Sequence, residues 1–279
     1  MPSDSQLPPF DHEYKFSYTT PPNPAFTYGD PVSSTELGKV WLEGLKEGWQ
    51  VYDTTKTDTR KLYKLMIGAI SPRPIAFVST LSEDGTPNLA PWFNQVTANP
   101  PIISIAVQNI TPDGIPHLKD TGANIKALKE FTVNIASEPF IENATTTSLD
   151  APSGVDEWEL SGLTRAPSIY VKPPRILESA FSMECTLYAA YDIPSTTCSA
   201  ISTTLILGHV KYIHVRKDVL TDRERIDPAK LRAVSMLGSA TYARVGAGFR
   251  LDRPRWADEK EKIESSRKDS SIPQESTAL

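Results

Sequence analysis

A chain of 279 residues with 39% hydrophobic and 23% charged residues can bury a core of ordinary size, as one large domain or two small ones. Its formal net charge of −5 argues against nucleic acid or an anionic membrane surface as the main partner. The sequence contains no run of about 18 apolar residues and no basic start followed by an apolar run, so neither a transmembrane helix nor a secretory signal is expected.

Cysteine and histidine are scarce. The two cysteines, Cys185 and Cys198, cannot form a disulfide scaffold, and they fit a reducing, cytoplasmic compartment. The four histidines show no metal-ligand spacing, so no metal site is expected.

The first 60 residues are predicted to form an extension outside the main domain. A Pro-, Ser- and Thr-rich arm over 1–34 is expected to be extended and only partly ordered. Apolar residues then recur at helical spacing and predict a short amphipathic helix from Thr35 to about Gly48, capped by Ser34 or Thr35. Residues 51–62 are predicted to be a polar connector.

The middle of the chain has the pattern of a β-barrel. Small, β-branched and aromatic residues dominate segments 70–81, 88–96, 102–108, 131–137, 181–192 and 204–215. Glu83-Asp84-Gly85 is a turn signal between the first two segments. Because strands and helices do not alternate, the pattern predicts a mainly β protein, a β-barrel with a few helices.

Helices are predicted in two places within this region. One runs from about Gly122 to Glu130, with Asp120 or Thr121 as its cap, and the other occupies roughly 228–234. The charged end of the chain, poor in apolar residues, predicts a disordered tail. The sequence thus divides into an extension over 1–60, a barrel domain over 61–255 and a tail over 256–279.

Motifs for several common chemistries are missing. The sequence has no GxGxxG dinucleotide fingerprint, no GxxxxGK[ST] phosphate loop and no GxSxG nucleophile elbow. The adjacent carboxylates of Asp156 and Glu157 are interpreted as a solvated loop pair. No residue is assigned a catalytic role.

One local pattern suits a phosphate. Lys119-Asp120-Thr121 precedes the predicted helix, and Asn124 lies in its first turn. The free N–H groups and positive dipole end of a helix N-terminus, with a Lys ammonium and a Thr hydroxyl, would bind an anion. The alternative is that Asp120 or Thr121 only caps the helix and that Lys119 is solvated, and spacing alone leaves both open.

Two strand segments could form the wall of a pocket. In Ser71-Pro72-Arg73-Pro74, two prolines stiffen the start of a strand and could aim Arg73 at an anion, or Arg73 could be an ordinary surface residue. Residues 88–94 place a proline and two aromatic residues beside an asparagine. They could line a pocket for a flat ring, or they could be ordinary barrel core and edge.

Taken in order, these segments resemble the flavin reductase-like FMN-binding family. The resemblance runs through SPRPIAFVSTLSEDGTPNLAPWFNQV, NPPIISIAV, KDTGANI, FTVNIAS, NATTTSLDAPSGVDEWELSGLT, PPRILESAFSMECTL, LILGHVKYIHV and LGSATYARV. It covers roughly residues 60–253, and its specificity lies in the ordered series and not in any one motif.

The resemblance implies a split β-barrel that binds FMN, usually as a homodimer. The family's phosphate-binding segment corresponds to Lys119, Asp120, Thr121 and Asn124. The strand that faces the isoalloxazine ring corresponds to Arg73, Pro74, Ser79 and Thr80. Residues near the ring or the pocket correspond to Trp92, Phe93, Asn94 and Tyr242. Here the return strand carries Trp92-Phe93 and is about one residue shorter than the family's pattern.

The implied activity is electron transfer from NAD(P)H through bound FMN to free flavin or a small organic acceptor, a chemistry carried mainly by the cofactor. A non-enzymatic FMN-binding electron carrier, reduced by a protein partner, is the alternative. A third reading is a barrel that has lost FMN and only mediates assembly, against which the intact segment from Lys119 to Asn124 argues.

The acidic loop over 150–164 carries Trp158, and in the family this loop lies close to the substrate side. We hypothesise that it is a lid that selects the electron partner. The alternative is an ordinary surface loop.

Overall fold

The computed structural model describes residues 8–13, 15–47, 49–53, 55–69, 72–96, 99–109, 118–149, 156–196, 200–238, 240–249, 251 and 254–269. The chain divides into two compact units, one of Met1–Thr59 with Gly246–Leu279 and one of Arg60–Val245. Among the helices in the described ranges, none is long and apolar enough to cross a membrane.

The strands, in chain order, are β1 (Ser17–Thr19), β2 (Arg73–Leu81), β3 (Pro87–Val96), β4 (Ile102–Gln108), β5 (Glu130–Ile135), β6 (Arg165–Ala166), β7 (Arg175–Ile176), β8 (Phe181–Pro194), β9 (Ile201–Val215), β10 (Val234–Gly238), β11 (Thr241–Arg244) and β12 (Ala247–Phe249). The helices are α1 (Glu36–Glu43), α2 (Thr59–Ala69), α3 (Asp120–Leu128), α4 (Ile141–Thr146), α5 (Glu157–Ser161), α6 (Pro228–Leu231) and α7 (Trp256–Asp269).

A closed antiparallel barrel forms the centre of the larger unit. The main sheet runs in the order β11-β10-β2-β3-β4-β9-β8-β5, and β5 also pairs with β2, which closes β2, β3, β4, β9, β8 and β5 into a ring. Every pairing around this ring is antiparallel. The mainly β architecture predicted from the sequence is confirmed. Because the ring is closed, each of its six strands pairs with a neighbour on both sides.

Strand β2 is buried on both faces because it lies between two apolar cores. Ala76 and Val78 point into the core inside the barrel, whereas Ile75 and Phe77 belong to a second core outside it. Residues 75–80 are therefore buried without a break, although strand residues alternate in direction.

Two glycines allow the barrel to close. Gly85 has a φ of +89° in the turn between β2 and β3, where its N–H donates to Ser82 O at 3.0 Å, as the turn signal in the sequence predicts. Gly208 in β9 lies against the ring of Phe131, and a Cβ there would stand 2.3 Å from Cζ of that ring. The bulky Phe131 fits the interior only because its neighbour has no side chain.

Helix α3 covers part of the barrel. It begins two residues earlier than predicted and ends at Lys129, which has a left-handed φ of 62°. The second helix predicted in this region is shorter than expected and is limited to α6, where the Asp227 side chain accepts from Ala229 N.

In the smaller unit, Thr35 caps α1 as predicted, with Oγ1 accepting from Gly38 N at 3.0 Å. The arm predicted to be extended contributes β1, which pairs in parallel with β12.

Two segments differ from the prediction. Helix α2 begins inside the segment predicted to be a polar connector, and its first three residues, Thr59-Arg60-Lys61, are polar and give no apolar signal before Leu62. Helix α7 occupies much of the segment predicted to be a disordered tail, and ion pairs of Lys262 with Glu259 (3.1 Å) and of Lys260 with Glu264 (3.8 Å) support it. Residues 270–279 of that tail lie outside the described residues.

Candidate functional site

Four polar side chains meet where β2, β3 and α3 come together. Asn88 Oδ1 accepts hydrogen bonds from Thr121 Oγ1 at 2.7 Å and from Thr80 Oγ1 at 3.2 Å. Asn124 Nδ2 donates to Thr80 Oγ1 at 3.1 Å. Each of the four residues is at most 8% exposed. We call Thr80, Asn88, Thr121 and Asn124 the polar cluster.

Local geometry brings the cluster together. The antiparallel register places Thr80 opposite Asn88 on β3. Thr121 and Asn124 are three residues apart on α3 and so share one face of the helix. The structure therefore joins two of the residues predicted to bind phosphate to one of those predicted to line the ring, and it adds Asn88, which the prediction left out of the site.

The N-terminus of α3 carries no side-chain cap. Lys119 is the N-cap residue and makes no capping hydrogen bond with its side chain. Asp120, an expected cap, lies inside the first turn, and the Thr121 hydroxyl is engaged with Asn88. The N–H groups of the first turn thus have no acceptor from the cap residue, which leaves a suitable place for an anion.

Glu157 is a further member of the site that the sequence interpretation missed. Its carboxylate accepts from the Leu89 N–H, and its Oε1 lies 3.5 Å from Asn88 Nδ2. Burial, with smaller contributions from the carboxylates of Asp120 and Asp156, raises the pKa of Glu157 above its ordinary value. The residue is half-buried beside the polar cluster, so it is not the solvated carboxylate that the sequence suggested.

Asp156 explains how Glu157 is held there. The Asp156 side chain caps α5 by accepting from Trp158 N at 2.9 Å, and its other oxygen pairs with Arg165. The Arg165 guanidinium lies 5.6 Å from the ring centroid of the buried Trp158. Over its residues 156–164, the loop hypothesised to be a lid is therefore held in place by these contacts. Its residues 150–155 lie outside the described part of the chain.

A mainly apolar pocket of about 180 Å³ lies beside β3. Its lining comes from the start of β2 and from β3, α4, β10 and β11, namely Ile75, Pro91, Trp92, Ile141, Ala144, Thr145, Ser148, Met236 and Tyr242. The Tyr242 hydroxyl lies 3.5 Å from Thr145 Oγ1. Trp92 Nε1 is enclosed and has no hydrogen-bond partner among the described residues.

The other residues predicted to contact the ring are placed differently. Arg73 and Pro74 begin β2 and pair with Met236 and Ser235 of β10, at the pocket end of the strand. Ser79 is buried, but it points to the face of β2 opposite Thr80, so the structure does not bring these two side chains together.

Two more ring residues, Phe93 and Asn94, belong to β3, where they pair with Ile75 and Ile105. Their side chains lie outside the described part of the structure.

The polar cluster and the pocket both use β3 but lie mostly on its opposite faces. The pocket residues Ile75 and Pro91 point away from the face that carries Asn88, and Trp92 is the pocket residue on the face of Asn88. Asn88 and Trp92 are four residues apart on β3 and share a face, a separation of about 13 Å at roughly 3.3 Å per residue.

A closed six-stranded antiparallel barrel flanked by a few helices defines the protein as a split barrel. The family described as "Flavin reductase like domain" matches residues 68–229, within the larger unit. The chain belongs to this family, and the resemblance seen in the sequence is confirmed. The family supports a flavin-related oxidoreductase with a flavin cofactor.

The matches to similar proteins cover most of the length of each relative. An uncharacterised protein of Halalkalibacterium halodurans is 39% identical over 194 residues, which cover 69% of this chain and 90% of the relative. Nitrilotriacetate monooxygenase component B from Bacillus cereus is 30% identical with a TM-score of 0.68, and the match covers 73% of this chain and 99% of that one. The 2-nitrobenzoate 2-nitroreductase of Pseudomonas fluorescens is 24% identical with a TM-score of 0.64 over 81% of this chain and all of the other, which supports a shared fold.

Proposed function

We propose that the protein is an FMN-dependent oxidoreductase that takes electrons from NAD(P)H and passes them to free flavin or a small organic acceptor. The observation that carries the proposal is the placement of Asn88, which hydrogen bonds to Thr121 in the first turn of α3, about 13 Å from the pocket residue Trp92 along one face of β3. The barrel thus offers an anion subsite and a ring subsite on one strand.

The phosphate end is proposed to lie at α3. The first-turn N–H groups and the second N–H of the Asn124 amide are neutral donors, the Thr121 hydroxyl is already donated to Asn88, and Lys119 adds a positive charge at the N-cap position. Hydrogen bonds in which one partner is charged are stronger than neutral ones. The segment from Lys119 to Asn124 is therefore suited to a phosphate monoester.

The ring end is proposed to lie in the pocket beside β3. The enclosed Trp92 Nε1 is a donor without an acceptor in the part of the chain that the structure describes, and the edge of an isoalloxazine ring carries carbonyl and nitrogen acceptors. Tyr242 and Thr145 place two hydroxyl groups at the same pocket. FMN, when bound, would supply the hydride-accepting chemistry, and the side chains would hold the ring, exclude water and stabilise its charge.

A homodimer and a cytoplasmic location are part of the proposal. The far end of the hairpin formed by β8 and β9 exposes large apolar side chains, namely Tyr188, Tyr191, Ile193 and Ile201. Apolar groups clustered in this way favour an interface. Few cysteines, of which the buried Cys185 is a free thiol, fit a reducing compartment.

Absorption spectroscopy tests the proposal. We expect the purified protein, as isolated or after addition of FMN, to show a bound-flavin spectrum that bleaches when NADH or NADPH is added without oxygen. A protein that takes up no FMN would overturn the proposal. A bound flavin that neither nucleotide reduces would remove NAD(P)H as the donor and favour a carrier reduced by a protein partner.

Substitution tests the phosphate subsite. Lys119→Ala should weaken FMN binding about ten- to a hundredfold, since a charge-assisted contact contributes about 1.5–3 kcal/mol. Lys126→Ala is the matched control, because Lys126 lies near the other end of α3 and pairs with Asp192 at 2.5 Å. Equal FMN affinities for the two variants, measured by quenching of flavin fluorescence, would rule out this subsite.

A further inference from the structure

The hydrogen bonds of the polar cluster all run in one direction. Asn124 donates to Thr80, Thr80 donates to Asn88 Oδ1, and Thr121 donates to the same oxygen. Because Asn88 Oδ1 accepts from both hydroxyls, the amide NH2 of Asn88 must point away from them. That amide is the outward donor of the cluster, and the group opposite it is the Glu157 carboxylate.

Glu157 uses donors that would suit an anionic ligand. Its carboxylate accepts from Leu89 N–H and approaches Asn88 Nδ2 at 3.5 Å. It is also close enough to Asp120, in the first turn of α3, for the two negative charges to interact. A phosphate bound at the N-terminus of α3 would therefore come close to an existing negative charge.

Among the described residues around Glu157, few charges compensate for its own. Asp120 of α3 and Asp156 at the cap of α5 are both acidic, and Arg165 is paired with Asp156. Helix α4 also packs against α5 and carries one ionisable residue, Glu142. Strand β3 offers only neutral donors here. Burial above all, and then the carboxylates of Asp120 and Asp156, raise the pKa of Glu157, so these surroundings disfavour its charged form.

We propose that Glu157 is an internal competitor of the flavin phosphate, a carboxylate that occupies the outward donor of the polar cluster and lowers the affinity for FMN. The inference rests on the proposed function, because it takes the N-terminus of α3 as the phosphate subsite. Binding requires the carboxylate to move off Asn88 or to take up a proton. The barrel then holds FMN as an exchangeable ligand, and this suits a protein that passes electrons to free flavin.

The test compares Glu157→Gln with Glu159→Gln, using FMN and riboflavin as probes. Both variants remove one negative charge from α5, but Glu159 is exposed to solvent. We expect Glu157→Gln to bind FMN about tenfold more tightly than the unmodified protein, allowing for partial solvent screening of the two charges. Riboflavin lacks the phosphate, so its affinity should not change, and Glu159→Gln should have little effect on either probe.

A pH series gives an independent readout. The ratio of the FMN affinity of Glu157→Gln to that of the unmodified protein should shrink as the pH falls through the raised pKa of Glu157, because the native side chain then becomes neutral, as glutamine is. The ratio of the two affinities cancels the titration of the FMN phosphate itself, which both proteins share.

Each outcome bears on a different claim. If Lys119→Ala weakens FMN binding but Glu157→Gln leaves it unchanged or weakens it, the competitor role is wrong and the proposed function stands. If Glu157→Gln tightens FMN and riboflavin equally, the effect is a change in packing of α5 and the competitor role is again overturned. If neither the unmodified protein nor Glu157→Gln binds FMN, the proposed function fails together with the inference.

Discussion

Glu184 in β8 gives the sharpest prediction about stability. Its side chain is fully buried, and its carboxylate accepts three backbone N–H groups from residues 169–171 at 2.6–3.0 Å. His214 Nε2 lies 2.6 Å from its Oε1. A single carboxylate thus holds a whole loop against the barrel, so we expect Glu184→Gln to destabilise the protein strongly.

The magnitude follows from the number of donors. Glutamine keeps the shape of the side chain, but it loses the charge and turns one acceptor oxygen into a donor that faces other donors. A buried donor without an acceptor costs about 1–3 kcal/mol, and a hydrogen bond to a charged group contributes about 1.5–3 kcal/mol. With at least one donor left unpaired and the others weakened, the free energy of unfolding should fall by about 3–5 kcal/mol.

Glu130→Gln provides the matched control. Glu130 Oε2 accepts from Lys172 N at 2.9 Å in the same loop, but this hydrogen bond is exposed. Its loss should cost about 0.5–1 kcal/mol. The assay is urea unfolding followed by tryptophan fluorescence, and equal midpoints for the two variants would refute the reasoning.

The pH dependence of the Glu184 effect has a definite sign. Burial raises the pKa of this carboxyl, but the hydrogen bonds from Ile169, His214, Tyr170 and Val171 together lower it below its ordinary value. A lowered pKa in the folded state means that the stabilisation is present above the pKa of the unfolded chain and is lost as the pH falls through the folded-state pKa. The difference in the free energy of unfolding between the native protein and Glu184→Gln should therefore become smaller in acid. A difference independent of pH would contradict the stabilising role of the charged Glu184 carboxylate.

The remaining predictions concern packing and assembly. Gly208→Ala should lower the free energy of unfolding by about 1–3 kcal/mol because its methyl group would clash with the Phe131 ring, whereas Gly44→Ala, with no atom within 4 Å, should have almost no effect in the same urea assay. Tyr191→Glu should convert the proposed dimer to a monomer in light scattering after size-exclusion chromatography, because it places a charge in an exposed apolar patch. A variant that elutes with the mass of the unmodified protein would remove that patch from the interface.

Local chemistry made much of the barrel predictable. The turn from Glu83 to Gly85 and the strand on each side of it follow from turn residues and β-branched patterns, and β8 and β9 lie within three residues of their predicted limits. The pairing of β2 with β5 was not predictable, because it depends on contacts between segments far apart in the chain. Helix α2 was not predicted for a local reason: its first three residues are polar, and its apolar residues begin only at Leu62.

The residues of the candidate site also divide into those that local sequence rules predict and those that depend on contacts between distant segments. Thr80 and Ser79 are neighbours on a strand, so their side chains must point to opposite faces, and the sequence alone could have excluded one of them from the cluster. Thr121 and Asn124 follow from helical spacing. Glu157 does not, because it reaches Asn88 only when α5 packs against β3 across 69 residues of chain. A carboxylate that looks solvated in the sequence becomes half-buried beside the proposed phosphate subsite, and the contact that changes its role forms only when α5 packs against β3.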